Sequence, residues 1–429
     1  MGASCKLAIL GGPKAVQTDP GDIFAWPIIP KEAEDAALAV LRSGSMSGTD
    51  ITKAFEQDLA VWHGMKYALG HNTGTAALHT AMFGCHVGAG DEIICPSMTY
   101  WASALPALSL GATIVFAEVD SNTITIDPAD IEHRITDRTK AIVVVHYCGY
   151  PCDMDPIMEI AQRRGVKVIE DVSHAHGGLY KGRLLGTIGH VGAMSIMSGK
   201  SLAVGEAGFF VTNDQEIYER AVAFGHYERT KEVLTLPDLK EYAGLPLGGF
   251  KYRMHQVSSA VGRVQLRQYK DRMAEIQEAM NLFWDLLEGV TGIKAHRPGK
   301  GSGSTMGGWY AAHGIYVPEE LGGLPVHKYC EAVRAEGAET TAGANLLMHL
   351  HPMLNEADIY GHGKPTRIAH SDRDLRQGLG SLPVSESMPE RVYSIPWFKH
   401  VRPQIIKEHA EAFIKVAENA ESLMAFQNG

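Results

Sequence analysis

Two short apolar runs, Ala141 to His146 (AIVVVH) and Val166 to Glu170 (VKVIE), bracket a stretch from Asp153 to Arg164 that puts Met158, Ile160 and Ala161 on its inner side. Two buried strands joined by a helix form a βαβ unit, because parallel neighbours need a crossover of about a dozen residues or more. Comparable alternation of helical stretches and apolar runs extends from about residue 32 to residue 215. The predicted architecture is therefore α/β with a mainly parallel sheet.

A chain of 429 residues is too long for one ordinary core, so a second, smaller domain is expected. Between Met254 and about Leu287 the pattern predicts one very long helix or two in line, with no Gly or Pro after Arg263. Tyr269, Met273, Ile276, Met280, Phe283 and Leu287 recur at steps of four and three, which predicts one apolar stripe packed in a core. This helix is expected to carry the chain between domains: an N-terminal arm and large domain over 1–265, and a small α+β domain over 266–429. In the second, a strand is predicted over Ala311 to Val317 and helices near Val326 to Glu336 and Ile405 to Phe426, after a glycine-rich loop at Gly299 to Gly308.

A net charge of −10, spread without a long like-charged run, gives nucleic acid nothing to bind. No apolar stretch approaches the roughly 20 residues of a membrane span, and the first residues lack a secretory pattern. Gly2 follows Met1, but Lys6 stands where a myristoylation signal has Ser or Thr. The six cysteines, at 5, 85, 95, 148, 152 and 330, include no C-x-x-C pair. Cys148 and Cys152 are close enough to meet on one turn, but reduced thiols in a cytoplasmic protein are the expected state.

Some short patterns mislead. Gly199-Lys200-Ser201 ends like a phosphate-binding P-loop, yet Met194 occupies the position of its first glycine. Met46 stands where a nucleophile elbow needs serine. The pairs His174/His176 and His349/His351 lack further ligands nearby in sequence, so no metal site is expected.

Other residues combine into a chemistry. Asp171 ends the strand VKVIED, and ligands of open α/β sheets gather at the carboxyl ends of strands. Lys200 lies 29 residues later between two short strand-like segments, framed by the small residues Ser198, Gly199 and Ser201. Thr73-Gly74-Thr75 opens a helix over Ala76 to Phe83, where free N–H groups, a glycine and the Thr75 hydroxyl offer an anion site. An amine, a buried acid and an anion site are what pyridoxal 5′-phosphate (PLP) requires: a lysine to hold it, a carboxylate against its pyridine nitrogen and donors for its phosphate.

Four stretches, HNTGTAALHTAM, GDEIICPSMTYWAS, VIEDVSHAHGG and SIMSGKSLAVGEAGFFVTND, resemble the DegT/DnrJ/EryC1/StrS family of sugar aminotransferases, of PLP fold type I. The resemblance covers most of the chain. It implies that Lys200 is the Schiff-base lysine, Asp171 the partner of the ring nitrogen and Tyr100 the aromatic stacked on the ring. It places His174 near the cofactor's phenolic oxygen and Gly74, Thr75 and Ser195 at its phosphate. Family members often carry Gly-Tyr-Asn-Tyr-Arg where this chain has Gly249-Phe250-Lys251-Tyr252-Arg253, so Lys251 is expected to replace an Asn that reaches the phosphate of a neighbouring subunit. A homodimer with sites at the interface is implied as well. Lysine at position 200 argues against the lyases and dehydratases on this fold, in which histidine replaces it.

Within the family, LAILGGPKAV, the Lys-Tyr-Arg-Met-His run and the length look most like glutamine-dependent aminotransferases of keto-cyclitols such as scyllo-inosose, with glutamine or glutamate as donor. The rivals are aminotransferases of nucleotide-linked keto-sugars and aminohydroxybenzoate synthases. A neutral polyhydroxylated ketone needs polar side chains around it, for which His146, Tyr147, Ser45, Ser47, His349 and His351 are candidates. A nucleotide diphosphate calls for Arg and Lys, and the segments 43–49 and 146–153 contain none.

Overall fold

The computed structural model describes residues 6–427; Cys5 lies outside them. Its centre is a seven-stranded sheet built from β1 (Tyr67–His71), β2 (Glu92–Pro96), β3 (Thr113–Ala117), β4 (Thr139–Val145), β5 (Lys167–Asp171), β8 (Val191–Ser195) and β9 (Gly208–Thr212). A two-stranded hairpin, β6 (Leu179–Tyr180) with β7 (Arg183–Leu184), lies between β5 and β8 in the chain. The strand order is β1-β9-β8-β5-β4-β2-β3, and β9 alone runs against its neighbours β1 and β8. The predicted βαβ unit is present: β4 pairs directly with β5 in parallel, and the helix Met154–Arg164 joins them.

Both faces of the sheet are buried, which explains why the strands read as continuous apolar runs. Ile142, Val144 and Val168 belong to one core cluster, whereas Ala141, Val143 and Ile169, their neighbours in sequence, belong to another. The open edge of β3 is covered by distant side chains. Arg367 Nε donates to the Ile114 carbonyl (2.7 Å), Gln377 Nε2 donates to that of Phe116 (2.8 Å), and Gln377 Oε1 accepts from Phe116 N–H (3.1 Å). These bonds occupy backbone groups that would otherwise invite another strand.

A single helix, Gln256–Leu286, leaves this region. Its apolar stripe packs in cores, as expected, but in two of them: Leu266 and Tyr269 pack under the large sheet, while Ile276, Met280, Phe283 and Leu287 pack in a separate cluster. That second cluster lies against an antiparallel sheet of β10 (Ile293–Ala295), β11 (His313–Tyr316) and β12 (Val392–Ser394). The helix predicted over Ile405 to Phe426 is two helices, Pro403–Glu418 and Ala420–Gln427.

The N-terminal arm runs along this C-terminal part of the chain. Glu336 accepts from Ala8 N–H (2.7 Å) and Ala15 N–H (3.0 Å), and Glu408 accepts from the N–H groups of Gln17 and Thr18. Trp26 Nε1 then donates to the carbonyl of Lys200 (3.1 Å).

Candidate active site

The carboxyl ends of β4, β5 and β8 converge on a cavity of about 490 Å³. Its lining includes Gly74, Thr75, Tyr100, Asp171, His174, Ser195 and Lys200, seven of the eight residues singled out in the sequence. Lys251 is not among them; it is exposed in the loop before the long helix.

Asp171 is the last residue of β5, between Val145 and Ala193 of the flanking strands. It is buried, and its two oxygens are tethered separately: Oδ2 accepts from the Ser103 hydroxyl (2.6 Å) and Oδ1 from Ser173 N–H (3.1 Å). An ionised carboxylate can only accept, so the Ser103 proton points to Asp171, and Thr99 Oγ1, 3.0 Å from Ser103 Oγ, is then the donor to Ser103. Hydroxyl protons are thereby ordered from Thr99 through Ser103 to Asp171.

Lys200 sits in the excursion between β8 and β9, where its N–H donates to Met197 O (2.9 Å) and Trp26 holds its carbonyl. Its side chain is buried, and burial lowers the amine to a pKa of about 8 against the opposing pull of Asp171 and Cys148. An amine so placed is partly a free base at neutral pH.

The helix Gly74–Gly84 presents its start to the cavity, capped by Thr73 Oγ1 accepting from Ala76 N–H (3.0 Å). The first-turn N–H groups of a helix lack intrahelical partners. Glycine at 74 is a steric requirement: a Cβ there would fall 2.4 Å from Ser195 Cβ. Gly208 meets the same helix start from β9, since its Cβ would lie 2.5 Å from Thr73 C.

His174 is buried and neutral, its pKa held well below the ordinary value by burial first and by the nearby Lys200 charge. Cys148 N–H donates to His174 Nδ1 (3.3 Å), which leaves Nε2 as the N–H donor. Tyr100 stands at the mouth, half exposed, with Trp101 against it.

The polar residues offered for substrate lie outside the cavity lining. His146 is wholly buried, accepting from Cys152 N–H through Nδ1 (3.0 Å) and donating through Nε2 to Glu170 (3.0 Å). His349 is likewise buried between Ser97 and Glu386, and Tyr147 donates to Asn345 Oδ1 (2.6 Å). Ser45 and Ser47 are exposed elsewhere, and His351 caps the short helix Pro352–Asn355. Sequence reasoning missed Ser103, Ser173, Tyr310 and Asn345, all on the lining. Ser103 and Ser173 stood in stretches already singled out, GDEIICPSMTYWAS and VIEDVSHAHGG; Tyr310 and Asn345 did not. Among the described residues no cluster of three or more His, Cys, Asp or Glu is arranged to hold a metal, and no helix is long and apolar enough to cross a membrane.

The donor set fits PLP: a buried amine of lowered pKa, a tethered carboxylate and a helix start held close by two glycines meet around one cavity. Comparisons with known proteins agree. L-glutamine:scyllo-inosose aminotransferase of Streptomyces griseus is 31% identical over 439 residues, covering 97% of this chain and 99% of its own. GDP-perosamine synthase of Escherichia coli O157:H7 is 34% identical over 262 residues, covering 60% of this chain and 67% of its own. The crystal structure of an aminotransferase from Psychrobacter cryohalolentis superposes with a TM-score of 0.79 at 29% identity, covering 92% of this chain and 99% of that one. The profile of the DegT/DnrJ/EryC1/StrS aminotransferase family matches residues 27–413, and the chain belongs to that family, as a PLP-dependent aminotransferase.

Proposed function

We propose that this aminotransferase moves the amino group of glutamine, or of glutamate, to a neutral keto-cyclitol of the scyllo-inosose type. The observation that carries this reading is the cavity lining, in which Lys200 is the single Lys or Arg. A nucleotide-linked keto-sugar brings two phosphates, for which guanidinium and ammonium groups are the usual partners. Relatives named for inosose substrates also align over nearly the full chain, at 97% for the Streptomyces griseus protein.

In this reading Lys200 is the amine that would hold PLP, Asp171 would face its pyridine nitrogen, Tyr100 would cover its ring and His174 Nε2 would donate to its phenolic oxygen. Gly74 and Thr75, at the start of their helix, and Ser195 would take the phosphate. Bound there, PLP supplies an electron sink for the carbon that loses a proton. Lys200 Nζ moves that proton, and a pKa of about 8 keeps part of it unprotonated and able to accept at neutral pH. The tethers on Asp171 fix the acid before any substrate arrives.

We further read the protein as a cytoplasmic homodimer. Among the described residues the five cysteines are all buried and free, and Tyr100, Trp101 and Leu346 leave apolar surface exposed beside the cavity mouth. Lys251 is the residue we assign to a partner's phosphate.

The acceptor is tested by measuring kcat/KM for scyllo-inosose and for a nucleotide-linked 4-keto-hexose, with glutamine as donor. We expect the inosose to be preferred at least tenfold, on the order of one lost charged contact. A preference for the nucleotide sugar overturns the choice of acceptor.

A further inference from the structure

Tyr310 lies in a segment whose backbone is held away from its preferred shapes. Its neighbours Trp309 and Ala311 both have positive φ, 58° and 54°, although neither is glycine. Such conformations persist where surrounding structure over-determines them, and they gather at functional sites. Here the surrounding structure is close. A Cβ on Gly308 would fall 2.2 Å from that of Ser201, one on Gly307 would fall 2.3 Å from His176 O, and Trp397 Nε1 donates to Gly308 O (3.1 Å).

The outcome of this lacing is the position of one ring. Tyr310 lines the cavity with its ring centroid 4.0 Å from Lys200 Nζ, packed also on His174 (4.9 Å) and backed by Trp397 (6.0 Å). Among the described residues Nζ makes no hydrogen bond, and the ring is its close partner. An aromatic face attracts an ammonium, more strongly when water is excluded.

We infer that the face of Tyr310 is the resting place of the Lys200 ammonium whenever that amine is not joined to the cofactor. The inference rests on the reading of Lys200 as the cofactor's lysine. A transaminase must release its lysine during every turnover, and a released amine needs a position from which it can return. The ring supplies attraction without a hydrogen bond that would have to be broken, and it keeps Nζ within the cavity. Tyr310 is thus a positioning residue, acting through Lys200, and its π face rather than its hydroxyl carries the role.

The test uses competitive acetylation of the cofactor-free chain across a pH series, with the label on Lys200 read by peptide mass mapping. The midpoint of that series reports the amine's proton affinity independently of its accessibility. Tyr310→Phe should keep the wild-type midpoint. Tyr310→Leu and Tyr310→Met should lower it by about half a pH unit or more, the size of a partly buried cation–π contact. Two aliphatic variants are included so that one poorly folded protein does not decide the matter, and thermal melts identify which of them are folded. An unchanged midpoint in a folded aliphatic variant, or a Phe variant that behaves like Leu, overturns the inference. In the PLP-loaded enzyme Lys200 should resist the label until glutamine is added. Ready labelling of the loaded enzyme without donor would instead overturn the reading of Lys200 itself, and the cofactor-free series still judges Tyr310.

Discussion

Ser103 contributes one hydroxyl to the site, donated to Asp171 Oδ2 at 2.6 Å. A hydrogen bond to an ionised group is worth about 1.5–3 kcal/mol, enough to hold the carboxylate in one orientation. Ser103→Ala should therefore retain PLP but lower kcat about tenfold, and the pH midpoint of the bound cofactor's absorbance should move, with Ser103→Thr restoring both. Asp171→Asn should lose most of its turnover while keeping some cofactor. Wild-type kcat and an unmoved midpoint in Ser103→Ala would remove the hydroxyl from the account. Asp171 and Lys200 were legible in the sequence because each sits in a short stretch with its own signal, a strand end and a frame of small residues. Tyr310 was not, because it falls between the glycine-rich loop that ends at Gly308 and the strand predicted from Ala311, and the role inferred for it depends on a contact 110 residues back along the chain. His146 was misjudged for a related reason. Just beyond it the chain turns through Cys148 at φ 52° and folds the imidazole underneath, onto Glu170.

Among the elements, the contact between the helix Gly74–Gly84 and the ends of β8 and β9 sets the position of the helix start that we propose holds the phosphate. Gly74→Ala places a methyl 2.4 Å from Ser195 Cβ, so the helix start must move away from the strand. We expect this variant to bind PLP at least tenfold more weakly, as followed by absorbance during dialysis, and to melt at a lower temperature. Unaltered retention would mean that the helix start does not set the phosphate position. The βαβ unit and the long helix were readable because their periods are local properties. The division of the helix between two cores was not readable from its stripe, although its length hints at it: 31 residues span about 46 Å, more than one core of a small domain. The cover on β3 was also hidden, since Arg367 and Gln377 reach it from more than 250 residues away.

For the molecule as a whole, the separation of Lys251 from the cavity of its own chain gives the proposed homodimer a functional test. A Lys200→Ala chain and a Lys251→Ala chain, each damaged alone, should regain activity when mixed and allowed to exchange, because one composite site then holds both defects and the other holds neither. Absence of recovery after proven exchange would place Lys251 outside the partner's site. The N-terminal arm has a different consequence, for the order of events during synthesis. Ala8 leaves the ribosome 328 residues before Glu336, its hydrogen-bond partner, and Gln17 leaves 391 residues before Glu408. The arm is thus made long before it can find its place, and the tryptophan that secures the carbonyl of Lys200 stays without its anchored arm until Glu336 and Glu408 have emerged. A nascent chain cannot finish the loop of Lys200 in the order of translation; completion of that loop waits for residues made long after it.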